Sequence, residues 1–415
     1  MDQSKAMQTE HNNVQRNDES SLRPHTRRGL LRAAGGAALA GAGWSALGCV
    51  ARPQHIPPAN RGPWRAGVLP APDLSDQAVL RYDAGIRPYR RGSVRLGVSA
   101  FDEITPGQRW VHNYGHGGSG WTLSWGCAER VADDVMASDT DRLGQRDRGA
   151  RGTASPRVAV LGGGIIGLTT AMELTRRRVP IVVYANQVGG HTTSAKAGAQ
   201  FAPSLVAWDE TAGVPMSTIL RATHRAYLRS ESDPTAGVHR KTNFTAERGG
   251  GALRGVPDDL SNPRDLDQLP FAELPGMSGR AYDTLHLEPP KYLARLQAQL
   301  LEHGVRFESR RFGSLAEIAA LPHRTVVNCL GLGAGSLLKD HAVVPVRGQL
   351  VHLKPQPALT YLFSHRGYMF PRSDAVVLGG TIERDEADAT PVEADCRAIL
   401  AKHRAFWGVS SDAIA

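Results

Sequence analysis

Arg157-Val-Ala-Val-Leu161, followed directly by Gly162-Gly-Gly164-Ile-Ile-Gly167, is the stretch that decides the fold. The short apolar run predicts a buried parallel strand. The glycines after it allow a tight turn, close approach of backbone to a pyrophosphate, and close packing of the next helix. Leu168 to Arg178 continues as that helix, with Arg176, Arg177 and Arg178 in a last turn where positive charge suits the dipole. Pro180-Ile-Val-Val-Tyr184 reads as the second strand. Strand, loop, helix and strand in this order make a dinucleotide-binding unit, but the motif does not tell FAD from NAD. The residue expected at the ribose hydroxyls, about 20 residues on, is Asn186, a neutral amide rather than a carboxylate.

Two stretches downstream belong to the same kind of domain. Pro290 to His303 places Leu293, Leu296 and Leu300 on one helical face, and Gly304 ends it. Val305-Arg-Phe307 and Thr325-Val-Val-Asn328 read as strands, the second running into Gly331-Leu-Gly333-Ala-Gly335. The 415 residues, 41% hydrophobic and 21% charged, suffice for two domains and exclude a collagen, a coiled coil or a disulfide miniprotein. The net charge of +9 is dispersed and accompanies no nucleic-acid motif, so nucleic acid is not an expected partner. Cys49, Cys127, Cys329 and Cys396 are too scattered for a disulfide framework or a zinc site. His112 and His116 are four apart, but Tyr114, Gly115 and the following glycines argue against a helix there, so no metal site is expected.

Before this core, residues 1–22 are polar. Thr26-Arg27-Arg28-Gly29-Leu30-Leu31 then precedes 19 uncharged residues, Ala33 to Ala51. That run is too weakly apolar for a membrane span and resembles a twin-arginine export signal. The expected location is therefore periplasmic, extracellular or at the membrane surface. Ala46-Leu47-Gly48-Cys49 partly resembles a lipoprotein box, with Ala46 where leucine is preferred. A lipid anchor at Cys49 and a homodimer both stay open. Six prolines between Arg52 and Pro72 predict an extended spacer.

Further blocks resemble the D-amino-acid oxidase family of FAD flavoproteins. They are Thr192-Thr-Ser194 with Ala197-Gly198-Ala-Gln200, Val346-Arg-Gly-Gln-Leu350, Tyr368-Met-Phe-Pro371, Leu378-Gly-Gly-Thr381, Ile86-Arg87-Pro88-Tyr89-Arg90 and His112-Asn-Tyr-Gly-His-Gly-Gly-Ser-Gly-Trp-Thr122. The last two close the chain in the family but precede Gly162 here, so the sequence reads as circularly permuted, with a misassembled reading frame as the rival explanation. Permutation is tolerated where domain termini lie close together. The resemblance implies an α/β fold: a Rossmann-type FAD-binding domain plus a mixed-sheet α+β substrate domain. The expected order is signal region 1–48, Pro-rich linker 49–80, substrate strands 81–107, FAD-domain loop and helix 108–136, linker 137–156, Rossmann unit 157–199, substrate domain 200–284, FAD domain 285–343 and substrate domain 344–415.

The resemblance also implies roles. Arg87 would grip the substrate carboxylate, a planar guanidinium being the best fork for it, and Tyr368 would assist. Expected at FAD are Gly162, Gly164, Ile165, Ile166, Gly167, Asn186, Thr192, Thr193, Ser194, Gly198, Gln200, Phe312 and Gly331. Gly117, Gly118, Ser119, Gly120, Trp121 and Thr122 complete that set. The N–H groups of Gly117, Gly118 and Gly120 would stabilise charge at the flavin pyrimidine edge. The implied reaction is hydride transfer from the Cα of a D-amino acid to flavin N5, followed by reduction of molecular oxygen to hydrogen peroxide. The products are a 2-oxo acid and ammonia. Ile382 stands where D-aspartate oxidases tend to carry arginine, which favours neutral substrates, and the family's second tyrosine on the lid has no clear counterpart. The rival readings are a dehydrogenase passing electrons to a membrane quinone, a non-catalytic flavoprotein and an NAD-dependent dehydrogenase.

Overall fold

Val158, Ala159, Val160 and Leu161 are all buried, yet they part to two sides: Val158 and Val160 join one apolar core, Ala159 and Leu161 another. That is the alternation of a strand buried on both faces, as in parallel sheets covered by helices. The computed structural model describes residues 66–100, 102–143, 158–211, 213–246 and 255–409. The Arg27-Arg28 pair, Cys49, the expected signal region and most of the 137–156 linker lie outside these.

In chain order the strands are β1 (Val79–Arg90), β2 (Arg95–Val98), β3 (Arg109–Tyr114), β4 (Val158–Gly163), β5 (Ile181–Val188), β6 (Val238–Thr245), β7 (Arg264–Leu266) and β8 (Gly279–Leu287). They continue with β9 (Arg306–Ser309), β10 (Thr325–Asn328), β11 (Val343–Leu353), β12 (Leu362–Ser364), β13 (Tyr368–Pro371), β14 (Val376–Gly379) and β15 (Glu383–Arg384). The helices are α1 (Gly120–Leu143), α2 (Ile165–Arg176), α3 (Thr193–Lys196), α4 (Met216–Leu228), α5 (Asp258–Ser261), α6 (Pro289–Glu302), α7 (Leu315–Ala319), α8 (Leu332–Leu338) and α9 (Glu393–Trp407).

One sheet has the order β2-β3-β10-β4-β5-β9, parallel from β3 to β9 with β2 antiparallel at its edge. Its helices bury regular stripes: Leu123, Cys127, Val131 and Val135 recur every four residues along α1. Each aliphatic residue so buried contributes about 1.5–3 kcal/mol. The second sheet, nine strands among the described residues, runs β1-β11-β14-β13-β12-β6-β8-β7 with β15 also against β11. It is antiparallel except where β12 meets β6, hence mixed. Ile399, Leu400 and Trp407 of α9 close its core.

Strands from early in the chain complete both sheets. β1 pairs with β11, setting Gly85 opposite Gly348 and Arg87 opposite Val346. β3 lies parallel to β10, with Val111 beside Val327.

Several expected boundaries move. Residues 69–80 are not spacer: Leu74 and Ala78 enter the core of the second sheet, and Tyr361 Oη donates to Pro70 O at 2.6 Å. Within 81–107, β2 leaves the substrate sheet and hydrogen-bonds to β3. Helix α1 continues to Leu143, past the linker start expected at 137. Inside the expected substrate segment 200–284, α4 instead packs on α1, with Gly126 N–H donating to Thr223 Oγ1 at 2.8 Å. β8 runs to Leu287, beyond the expected limit at 284, because its register with β6 persists to the Leu287–Val238 pair.

Candidate active site

The segments that follow β3, β4, β5, β9 and β10 line a cavity of about 1000 Å³, which β1, β11 and β13 close from the other sheet. That is the upper end of the range for ligand pockets. On its floor the glycine loop is sterically forced. A β-carbon on Gly162 would stand 2.4 Å from Cys329 O, and one on Gly167 would stand 1.9 Å from Gly162 O. The bare loop therefore presents the N-terminus of α2 to the cavity, where backbone N–H groups and the helix dipole favour an anion. Ser194 joins it there, its Oγ accepting from Ile165 N–H at 3.1 Å. Thr192 and Thr193 line the same wall as Ile165 and Ile166.

At the far end Asn186 is exposed at the cavity edge, and no carboxylate among the described residues lines the cavity. Phe312 is buried with the Arg310 guanidinium 5.0 Å over its ring, and Arg310 and Arg311 both line the cavity. The two arginines had no sequence signal, since charge at a strand end is most often plain solvated surface. Gly331 completes this wall at the start of α8.

The loop before α1 departs from expectation. The N–H of Gly117 donates to Pro88 O at 2.9 Å and that of Gly118 to Leu205 O at 3.1 Å, so neither faces the cavity as a free donor. These glycines serve close packing instead: β-carbons there would lie 2.0 Å from Leu205 O and 2.7 Å from Ser204 O. Ser119 and Thr122 do not line the cavity. Ser119 Oγ donates to Ser204 O at 2.9 Å and Thr122 Oγ1 to Ala202 O at 2.9 Å, bracing the neighbouring segment. Gly120 and Trp121 do line it, in a first helical turn whose N–H groups have no intrahelical acceptor. In this loop the N–H groups left without a protein acceptor beside the cavity are thus those of the first turn of α1.

On the opposite wall Arg87 is half-buried and, among the described residues, has no carboxylate partner. Its Nη1 donates to Thr381 O at 3.2 Å. Tyr368 stacks on Phe370 with centroids 4.4 Å apart. Burial raises the pKa of its hydroxyl, and the adjacent Arg87 charge opposes that shift. Gly198 lets this aromatic pair touch the 192–200 segment expected at the cofactor (the cofactor loop), since a β-carbon there would lie 2.6 Å from Phe370 Cδ2.

Every expected site residue except Ser119 and Thr122 lines this one cavity. Three liners carry buried polar atoms without a protein partner: Asn113 Oδ1, His116 Nε2 and Gln200 Nε2. Asn113 and His116 were not expected at the site, although both lie in the quoted His112–Thr122 block. Burial lowers the His116 pKa to about 3, so its ring is neutral and able to donate or accept one hydrogen bond. His112 instead sits against Ser99 Oγ at 3.0 Å.

Residues 157–413 match the family described as FAD dependent oxidoreductase. The chain belongs to that family. Among its relatives are D-amino-acid oxidases of Rubrobacter xylanophilus, 30% identical over 61% of this chain and 77% of that one, and of Streptomyces coelicolor, 30% identical over 56% and 72%. Human D-aspartate oxidase is 27% identical over 59% and 74%. Glycine oxidase from Bacillus cereus, a solved structure, aligns at TM-score 0.48 and 16% identity over 60% of this chain and 77% of that one. As a family member the protein is an FAD-dependent oxidoreductase, and its own residues fit the group. The side-chain-free loop and the α2 N-terminus suit the pyrophosphate, and the unpartnered atoms of Asn113, His116 and Gln200 offer hydrogen bonds to a polar ring system.

Proposed function

We propose that the protein oxidises neutral D-amino acids to 2-oxo acids and ammonia, with molecular oxygen reduced to hydrogen peroxide. The observation that carries this reading is Arg87: a guanidinium facing a cofactor-sized cavity with no carboxylate of its own among the described residues. Its planar fork would take the substrate carboxylate bidentately, and the Tyr368 hydroxyl beside it would add a further hydrogen bond. Bound FAD supplies the two-electron acceptor. Held at its carboxylate, the substrate presents the Cα–H of one enantiomer to the cofactor-loop side of the cavity, which gives both rate and handedness by orientation. The imino acid formed by loss of two electrons and two protons hydrolyses in water. No lining side chain is required as a base.

The cations that line the cavity also support a neutral substrate. Lys196 is paired with Asp83, while Arg310 and Arg311 lie beside Asn186 at the other end. Ile382, which in sequence favoured neutral substrates, is exposed and outside the cavity lining, so it does not bear on that choice. We read the element order as a circular permutation of the family arrangement, a reading supported by the pairing of β1 with β11 and of β3 with β10. We further propose export by the twin-arginine route, supported by Arg27-Arg28 and the uncharged run after it.

The test is the anaerobic visible spectrum of purified protein with D-alanine and with L-alanine. Bleaching by the D form alone, reversed by air with release of peroxide, is the expected result. A flavin band untouched by a panel of D-amino acids would overturn the reading.

A further inference from the structure

The cofactor loop is held from two sides by cations that sequence spacing did not single out. Lys196, at the end of α3, lines the cavity, and its Nζ donates to Asp83 Oδ1 and to Ala84 O, both at 2.8 Å. Asp83 stands four residues before Arg87 on β1, and its carboxylate also accepts from Ala84 N–H at 2.8 Å. Arg372 stands four residues after Tyr368, just past β13, and is buried. Nε and Nη2 of Arg372 engage both oxygens of Asp374. That leaves Nη1 aimed at Ala197 O at 3.2 Å and Ala195 O at 3.4 Å. Directly after these attachments the loop presses on the site itself, where Gly198 meets Phe370 and Tyr368.

The arrangement is symmetric in function. One cation ties the loop to the strand carrying Arg87, the other to the strand carrying Tyr368. Charge-assisted hydrogen bonds between partly buried groups are stronger and more directional than neutral ones, so two of them fix both distance and rotation. We propose that Lys196 and Arg372 are positioning residues that clamp the 193–198 loop against β1 and β13, holding the flavin-facing wall in register with the carboxylate grip. This rests on the reading of Arg87 given above. A merely adhesive role would weaken cofactor binding or stability without acting selectively on the substrate end.

The experiment uses FAD-loaded protein and three variants: Lys196→Met, Lys196→Arg and Arg372→Lys. Three quantities are read: the dissociation constant of FAD from its fluorescence on release, that of benzoate as a probe carboxylate from its perturbation of the flavin spectrum, and KM with kcat for a D-amino acid. In Lys196→Met, benzoate affinity and KM should each worsen about ten- to hundredfold, the order expected of an ångström-scale misplacement. The FAD dissociation constant should change less than about threefold, and Lys196→Arg should restore benzoate binding. Arg372→Lys keeps the charge but cannot bond Asp374 and both carbonyls together, so it should show the same selective loss. It also carries the test if Lys196→Met does not fold. Unchanged benzoate affinity in a folded variant overturns the clamp, as does an equal fall in FAD and benzoate affinity without rescue by arginine. Wild-type protein that binds benzoate but turns over no D-amino acid removes the proposed reaction and leaves the clamp to be judged on benzoate alone. Wild-type protein that binds no benzoate overturns both.

Discussion

The guanidinium of Arg87 occupies the place where Gly348 would carry a side chain: a β-carbon built there would stand 2.3 Å from both Nη1 and Nη2. The two residues belong to neighbouring strands, two residue pairs apart in register, since Gly348 faces Gly85 and Arg87 faces Val346. The bare backbone of β11 is therefore the seat on which the fork lies flat. A methyl group at 348 would lift it. Gly348→Ala is expected to raise KM for D-amino acids by about tenfold or more while the protein still purifies with FAD, since Gly348 lies on the sheet opposite the α2 N-terminus. Steady-state kinetics with the flavin-to-protein ratio check this; an unchanged KM would mean that Arg87 is free to grip from another position.

Removing the fork itself should have a larger effect. Arg87→Ala leaves a bound carboxylate without its partner in the cavity, a loss of up to roughly 3–5 kcal/mol, or about two to three and a half decades in kcat/KM. FAD content should be unaffected. Arg87→Lys should recover only part of the loss, because a point charge cannot replace two parallel N–H bonds. A kcat/KM in Arg87→Ala within a factor of about three of wild type would place the carboxylate elsewhere.

The glycine loop makes a cofactor prediction. The position of a Gly167 β-carbon lies 1.9 Å from Gly162 O, a backbone atom that has no flexible end to swing aside. Gly167→Ala must shift either the turn or α2, and both bear the N–H groups turned to the cavity. The variant should purify largely without flavin and with a lowered melting temperature, and added FAD should bind much more weakly than to wild-type apoprotein. A yellow, normally stable Gly167→Ala protein would show that the loop has slack.

The parts legible in sequence were those where sterics dictate residue type. Val158 to Gly167 spelled out a strand buried on both faces and a turn that no side chain fits, and the Leu293, Leu296, Leu300 spacing gave the buried face of α6. What pattern could not supply was anything set by distant packing. Nothing in Arg95–Val98 says that it leaves one sheet for the other, and nothing in Met216–Leu228 says that α1 is its neighbour. The glycines at 117 and 118 suggested donors for a flavin, but the same residue type also answers the close approach of Ser204 and Leu205, which is what the fold uses. Lys196 and Arg372 bond to groups more than a hundred residues away, so periodicity offered no hint of them.

Buried histidines set the acid limit of the fold. Burial, first among the causes, lowers the pKa of His112 and His116 to about 3 and of His224, His352 and His403 to about 4. In the unfolded chain the same rings take up a proton near pH 6.5. Between roughly pH 4 and 6.5 the unfolded state therefore binds more protons than the folded one, and stability rises with pH across that window. Read in the acid direction, each ring withdraws up to about 1.4 kcal/mol per pH unit as pH falls below its unfolded value. Glu288 acts in the same direction lower down. Burial alone would raise its pKa, but hydrogen bonds from His239, Lys291 and Ser373 hold it well below the usual carboxylate range. Its contribution is accordingly lost as pH drops below the unfolded glutamate value. Urea melts of the FAD-loaded protein should show a steep loss of unfolding free energy from pH 7 to pH 5, and His403→Gln, on α9 and away from the cavity lining, should make that slope shallower whatever it does to stability at pH 7. A slope identical in wild type and His403→Gln would mean that His403 is protonated in the folded state.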